Sequence, residues 1–230
     1  MEINPIIINY YQPALLNIGE VSSGIAELFP RVWRALEALV DPLTQDRQPV
    51  LDWLVDSNAA RFSPLVIYML TTRLQDPEPG IRSNVLKILA GVLVPDENGL
   101  LAPESVRQFL LFHFSRIQKT DVYTLLDLIN IDPTNEPYAI LVCKSSHRIG
   151  DYLIEILSER KESLVIRKQA ALVIGKVGYI DAIPIIERLI MRLESRVNGQ
   201  QSMLYSSMDG SEEINLLPTL KSVLNALQAP

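Results

Sequence analysis

The chain has 230 residues, 48% of them hydrophobic and 7% aromatic, and a formal net charge of −6 at pH 7. This apolar fraction suffices for a continuous core packed by aliphatic side chains. The single cysteine, Cys143, excludes a disulfide within the chain and favours a reducing compartment. No stretch approaches the roughly 20 uninterrupted apolar residues of a membrane helix, and the N-terminus lacks the features of a secretory signal. We therefore expect an acidic, cytoplasmic protein without membrane contact.

Apolar residues at helical spacing, separated by proline, glycine and capping residues, predict helices along most of the chain. Residues 1–30 are expected to form an N-terminal capping segment. The predicted helices after it span residues 31–40, 50–58, 62–74, 80–93, 103–117, 121–131, 137–143, 149–157, 164–177 and 183–197, with a last one from 212 or 213 to 227. Ser63 and Pro64 fit the N-cap and first position of the third helix. Since no segment alternates long enough to require a strand, the sequence predicts an all-α fold.

One pattern recurs three times, with a period of about 42 residues. In the clearest copy the pair Ile166-Arg167 precedes small and apolar residues, namely Ala170, Val173, Ile174 and Gly175. An earlier copy has the corresponding pair Ile81-Arg82, followed by Val85, Ile88 and Leu89. A degenerate middle copy has Val122-Tyr123, followed by Leu126 and Ile129. We expect the apolar members of all three copies to be buried between stacked layers.

These residues resemble the HEAT-repeat (armadillo-like) family, whose unit combines a turn aspartate, an aliphatic-Arg pair and a second helix with small, apolar positions. The resemblance implies an α-solenoid of about four to five stacked antiparallel helical hairpins, forming a single HEAT-like domain over residues 1–230. In that family the arginine usually pairs with a turn carboxylate of its own or the next repeat. Asp76 and Glu162 are available to Arg82 and Arg167, so we expect a structural ladder at this position.

Positive charge is concentrated in one part of the sequence. Residues 144–196 carry ten basic and seven acidic side chains, whereas acidic side chains exceed basic ones before and after this part. Within it, Arg188, Arg192 and Arg196 recur every four residues and lie on one face of a predicted helix. We expect all three to be exposed. They form either an ordinary solvated face or a patch for an acidic partner.

A long polar segment interrupts the last predicted hairpin. Residues 198–210 read NGQQSMLYSSMDG, which has no helical periodicity. Loops of this length are uncommon inside compact helical proteins. The segment is either a tolerated surface insertion or a binding loop, and its adaptable apolar side chains are the candidate partner contacts, namely Met203, Leu204, Tyr205 and Met208.

Residues for catalysis or metal binding are scarce. Cys143 and His147 are four positions apart, which suits two metal ligands on one helix face, but a metal site needs three or four ligands. The same pair lacks an evident orienting residue for nucleophilic catalysis. Motifs of metalloproteases, serine hydrolases, phosphate loops and dinucleotide-binding folds are missing from the sequence. We assign no catalytic residue, no metal ligand and no cofactor.

Three classes of function remain. The first is a non-catalytic protein–protein interaction scaffold or adaptor, with another protein as partner. The second is a HEAT-like DNA-repair glycosylase, which requires a cationic face for phosphates and is disfavoured by the negative net charge. The third is a HEAT-like chaperone or lyase subunit for chromophore attachment, which this chain resembles only in its repeats. The sequence favours the scaffold.

Overall fold

A computed structural model describes residues 23–41, 47–200 and 213–229, and these are built from helices without a strand. The chain divides into two compact units, residues 1–114 and 115–230. The first unit contains six α-helices in its described part, α1 (Ser23–Val40), α2 (Arg47–Asp56), α3 (Ala59–Phe62), α4 (Pro64–Thr72), α5 (Pro79–Leu93) and α6 (Glu104–Phe114). The second contains α7 (Lys119–Ile131), α8 (Glu136–Lys144), α9 (His147–Ser158), α10 (Leu164–Val177), α11 (Ile183–Gln200) and α12 (Leu217–Gln228). The all-α prediction is confirmed over these residues.

Aliphatic side chains form most of the core of the first unit. Its helix α4 begins at the capping residues that the sequence predicts. The hydroxyl of Ser63 accepts a hydrogen bond from the Val66 N–H, and Pro64 occupies the first turn of α4, as the sequence predicts. Helix α5 packs against α2, α4 and α6. Its side chains Ile81, Val85 and Leu89 are buried as predicted, but Ile88 is only half-buried.

Helix α1 is longer than predicted. It begins at Ser23, so Pro30 lies inside the helix and not at its first position. Proline removes one backbone donor from a helix interior, and α1 nevertheless continues on both sides of it. This part of the predicted capping segment is therefore helical, while residues 1–22 lie outside the described part of the chain.

The second unit is organised around α10. This helix packs along α9 and also contacts α7, α8 and α12. Val122, Leu126 and Ile129 of α7 are buried as predicted, and so are three side chains of α10, namely Ala170, Val173 and Ile174. Ile166 is half-buried, contrary to the prediction. It lies in the first turn of α10, where the buried side chain is that of Arg167, which reaches Glu213.

Close approach of neighbouring helices explains the small residues of α10. A Cβ atom added to Gly175 would lie 3.2 Å from Cγ1 of Val223 on α12, which is tighter than ordinary packing. Helix α10 then ends at Val177, and the next residue, Gly178, has a φ of 78°, in the left-handed region that favours glycine. The predicted turn at this point is confirmed, and it directs the chain through a 3₁₀ helix, Ile180–Ala182, into α11.

The end of the chain differs from the prediction in two details. Helix α11 extends to Gln200, so residues 198–200 of the expected loop are helical. The rest of that loop, including Met203, Leu204, Tyr205 and Met208, lies outside the described residues. The expected last helix begins as a 3₁₀ helix, Glu213–Leu216, before α12. None of the described helices combines the length and the apolar character needed to cross a membrane.

Candidate functional site: an arginine cluster around Glu213

Three arginines converge on one carboxylate in the second unit. Arg167 Nη2 and Arg192 Nη2 donate to Oε1 of Glu213 at 2.9 and 2.6 Å, and Arg196 Nη1 donates to Oε2 at 2.6 Å. Both carboxylate oxygens are thus occupied by guanidinium groups. We call Arg167, Arg192, Arg196 and Glu213 the arginine cluster.

Three elements of the second unit place the four members of the arginine cluster. Arg167 lies in the first turn of α10, where its Nε also donates to the carbonyl oxygen of Leu157 at 2.9 Å. Arg192 and Arg196 are one turn apart on α11, so their side chains emerge on the same face. Glu213 begins the 3₁₀ helix Glu213–Leu216, which precedes α12. This 3₁₀ helix contacts α10, α11 and α12.

The arginine cluster spans the boundary between core and solvent. The side chains of Arg167 and Glu213 are 4% and 9% exposed, whereas those of Arg192 and Arg196 are 29% and 36% exposed. The inner pair is therefore largely removed from water, and the outer two arginines present part of their surface to it.

The electrostatics of the cluster favour ionised Glu213. Burial acts to raise the pKa of Glu213, but the Arg167 hydrogen bond and the charges of Arg192 and Arg196 outweigh it, so the pKa lies below its ordinary value. Burial lowers the pKa of Arg192; the charge of Glu213 acts in the opposite direction, and the positive charges of Arg160 and Arg196 add to the lowering. Arg192 is therefore a partly desolvated guanidinium that has an attractive carboxylate and repulsive arginines around it.

The expected exposure of the arginine stripe is correct only in part. Arg188 is exposed, as predicted. Arg192 and Arg196 are half-buried because they reach Glu213, so the expectation that they are exposed is wrong for them. Helical spacing places the three residues on one face, but it does not reveal a carboxylate contributed by a later element. The sequence contains one signal, the acidic pair Glu212-Glu213 at the predicted start of the last helix, but acidic residues are common in a first helical turn and do not by themselves indicate an arginine partner.

The predicted ladder exists with different partners. Arg167 pairs with Glu213 and not with Glu162. Glu162 instead accepts a hydrogen bond of 2.5 Å from the hydroxyl of Tyr123, the residue that takes the arginine position in the degenerate copy. In both pairs, a side chain near the start of one helix, α7 or α10, contacts a carboxylate just before a later helix, α10 or α12. We call each of these pairs a rung of the ladder. Tyr123 and Arg167 therefore have equivalent roles. The sequence repeat predicted that their positions are equivalent, but it did not predict the contacts.

In the first unit the turn carboxylate is bound by another arginine. Arg47 Nη1 lies 2.7 Å from Oδ2 of the buried Asp76. Arg82 Nη1 donates to the backbone carbonyl oxygen of Asp76 at 3.0 Å. The expectation that Arg82 binds the Asp76 carboxylate is therefore wrong. Asp76 faces the first turn of α2, and Arg47 satisfies its side chain there.

Cys143 and His147 have separate environments although they border the same small cavity of about 260 Å³. Burial raises the pKa of the Cys143 thiol to about 12, so the thiol is protonated at neutral pH and unsuited to nucleophilic attack. His147 is exposed; its Nε2 lies 3.3 Å from the Tyr179 hydroxyl and 3.5 Å from Oδ2 of Asp181. Among the described residues, His, Cys, Asp and Glu side chains form no group of three suited to a metal ion.

Comparisons with protein-family models, with curated proteins and with solved structures found no match to this chain.

Proposed function

We propose that this chain is a HEAT-like α-solenoid scaffold that binds an acidic segment of another protein at the outer side of the arginine cluster. Arg188, Arg192 and Arg196 are the contact residues in this proposal. The observation that carries it is the ratio of three guanidinium groups to one carboxylate at a partly exposed site. The remaining positive charge is unusual in a chain whose net charge is −6.

The geometry of the arginine cluster supports binding because its outer arginines are already oriented. Glu213 holds Arg192 and Arg196 through charge-assisted hydrogen bonds of 2.6 Å. A long side chain that is fixed before binding loses less rotational freedom when a partner arrives, so more of the contact energy is available as affinity. Arg188, one turn before Arg192 on α11, extends the positive surface into solvent.

The repeated rungs support the solenoid. Tyr123–Glu162 and Arg167–Glu213 join successive second helices in the same manner, and α10 contacts both α7 and α12. Such nearest-neighbour stacking is how helical-repeat scaffolds build extended binding surfaces. The apolar side chains at Met203, Leu204, Tyr205 and Met208 remain a proposed second contact, on the basis of the sequence alone.

An affinity-capture comparison tests this function. The full chain is immobilised and exposed to a lysate of its source organism, and bound proteins are quantified by mass spectrometry. The test variant is Arg188→Gln with Arg196→Gln; the matched control is Arg31→Gln with Arg34→Gln, which changes two exposed arginines of α1. Melting temperatures of all proteins are measured in parallel.

We expect a protein with an acidic segment to be retained by the wild type and by the control and to be lost with the test variant. Capture should also weaken as salt rises, because exposed charges are screened. The single variant Arg188→Gln serves as a second test if the double variant is unstable. Equal capture by all variants would refute the assignment of the arginines as contacts.

A further inference from the structure

The arginine cluster carries more positive charge than its ion pairs neutralise. Arg160, exposed in the turn between α9 and α10, is close enough to interact electrostatically with Arg192. It thus adds a fourth guanidinium to those of Arg167, Arg192 and Arg196, while Glu213 supplies one negative charge. Because the buried Arg167 is committed to Glu213 and to the Leu157 carbonyl, the excess lies toward solvent at Arg160, Arg192 and Arg196.

One donor at this site is buried without an acceptor among the described residues. The Nε atom of Arg192 is buried, and no hydrogen-bond partner for it is found in the described part of the chain. A buried donor without an acceptor is costly. The same guanidinium uses Nη2 to bind Glu213. Nε itself is closed to solvent, but 29% of the Arg192 side chain is exposed. An anion that approaches this exposed part would offset the like charges of the neighbouring arginines.

From these features we propose that the ligand of this site is a phosphomonoester dianion, carried on a phosphorylated side chain of the partner protein. This inference rests on the proposed function, because it names the chemical group that the arginine site takes. A phosphoryl group carries nearly two negative charges at neutral pH and three acceptor oxygens. Those acceptors suit guanidinium groups carried on different elements. Arg160 lies in the turn before α10, whereas Arg192 and Arg196 lie on α11.

A carboxylate fits the site less well. It carries one charge and would leave most of the excess charge uncompensated, since Glu213 already supplies the planar, two-oxygen acceptor. Nucleic acid would offer phosphodiesters with one charge each, and its binding needs an extended basic surface. The net charge of −6 opposes such a surface. The excess of positive charge at Arg160, Arg192 and Arg196 is local, so it matches a single dianion better than a nucleic-acid polymer.

The test uses nuclear magnetic resonance of the arginine Nε–H groups in the full chain, with phenyl phosphate as the probe. Isophthalate, an aromatic dicarboxylate of similar charge, is the matched comparison at the same ionic strength. We expect saturable changes at Arg192 and Arg196 with phenyl phosphate, and binding at least about tenfold weaker for isophthalate. Arg192→Gln should abolish the response. Arg160→Gln, at an exposed position, should weaken it several-fold.

Three results would overturn the proposal. They are equal affinity for phenyl phosphate and isophthalate, unchanged affinity in Arg160→Gln, or stronger binding of a short thymidine oligonucleotide than of phenyl phosphate through the same arginines. The Arg31→Gln, Arg34→Gln variant controls for general loss of positive charge. If protein capture needs Arg188 and Arg196 but phenyl phosphate does not bind, only the phosphate inference fails. If phenyl phosphate binds but protein capture is unchanged in Arg188→Gln with Arg196→Gln, only the proposed scaffold function fails.

Discussion

Arg167 and Glu213 form a buried ion pair, with Nη2 and Oε1 2.9 Å apart, between two elements separated by 46 residues in the chain. The pair connects the first turn of α10 with the 3₁₀ helix that precedes α12. Removal of two charges from water is costly unless each is well paired. Here the guanidinium of Arg167 also binds the Leu157 carbonyl, and Glu213 also binds Arg192 and Arg196. The ion pair thus connects the buried part of α10 with the partly exposed Arg192 and Arg196 of the candidate binding site.

Substitution of Glu213 by glutamine should strongly destabilise the second unit. Glutamine preserves the size of the side chain but removes the charge that three arginines share, and the buried Arg167 then lacks its counter-ion. We expect a loss of about 3 kcal/mol in the free energy of unfolding, measured by urea denaturation. Glu194→Gln is the control, because Glu194 pairs with Lys221 at an exposed site and should cost less than about 1 kcal/mol. Similar losses for the two variants would contradict the buried-pair account.

The contribution of Glu213 should depend on pH in a defined direction. Its pKa is lower in the folded protein than the value of about 4.3 expected when unfolded. Glu213 therefore stabilises the fold fully above the unfolded pKa, and this stabilisation is lost as pH falls through the folded pKa. The difference in unfolding free energy between wild type and Glu213→Gln should be constant near neutrality and shrink below about pH 4. A difference that stays constant down to acid unfolding would contradict the prediction.

The hydrogen bond from the Tyr123 hydroxyl to Glu162 should contribute to the free energy of unfolding. Tyr123→Phe removes the donor to Glu162 and should cost about 1 kcal/mol, measured by thermal and chemical denaturation. Tyr68→Phe, at a half-exposed tyrosine of α4, should have little effect. Tyr123→Arg should retain the rung, because it recreates the arginine–carboxylate arrangement seen at Arg167. A Tyr123→Arg protein less stable than Tyr123→Phe would refute the equivalence of the two rungs.

Gly150 should not tolerate even one added carbon. A Cβ atom at this position would lie 2.6 Å from Cζ of Tyr179, and the Tyr179 hydroxyl is held by Oδ1 of Asp151 at 2.6 Å. Gly150→Ala should therefore destabilise by about 1–3 kcal/mol despite the better helix propensity of alanine. Gly91→Ala, where a Cβ meets nothing within 4 Å, should raise the melting temperature. If both variants were stabilised alike, the close packing of Tyr179 on Gly150 would be wrong.

Local patterns were sufficient to predict most helices. The bounds of α10, Leu164–Val177, follow from its apolar spacing, the Ser163 cap and Gly178. These signals act within one or two turns of the chain, so they can be read without knowing the fold. The burial of Ala170 and the close approach at Gly175 also follow from the small residues of the repeat.

The arginine cluster could not be predicted in this way. Glu213 reaches Arg167 only because α10, α11 and the 3₁₀ helix pack together, and periodicity within one helix does not determine which distant carboxylate meets it. The same reason explains why Asp76 binds Arg47 and not Arg82 through its side chain. Sequence spacing identified Arg192 and Arg196 as neighbours, while only the fold revealed that their positions depend on Glu213.

The most direct test of the proposed binding site is the affinity of the full chain for a fluorescein-labelled, glutamate-rich peptide containing one phosphoserine. Fluorescence anisotropy measures binding to the wild type, to Arg188→Gln with Arg196→Gln, and to Arg31→Gln with Arg34→Gln. We expect saturable binding to the wild type and to the α1 control, and at least about tenfold weaker binding to the Arg188, Arg196 variant. Equal affinity of all three proteins for the peptide would contradict this prediction.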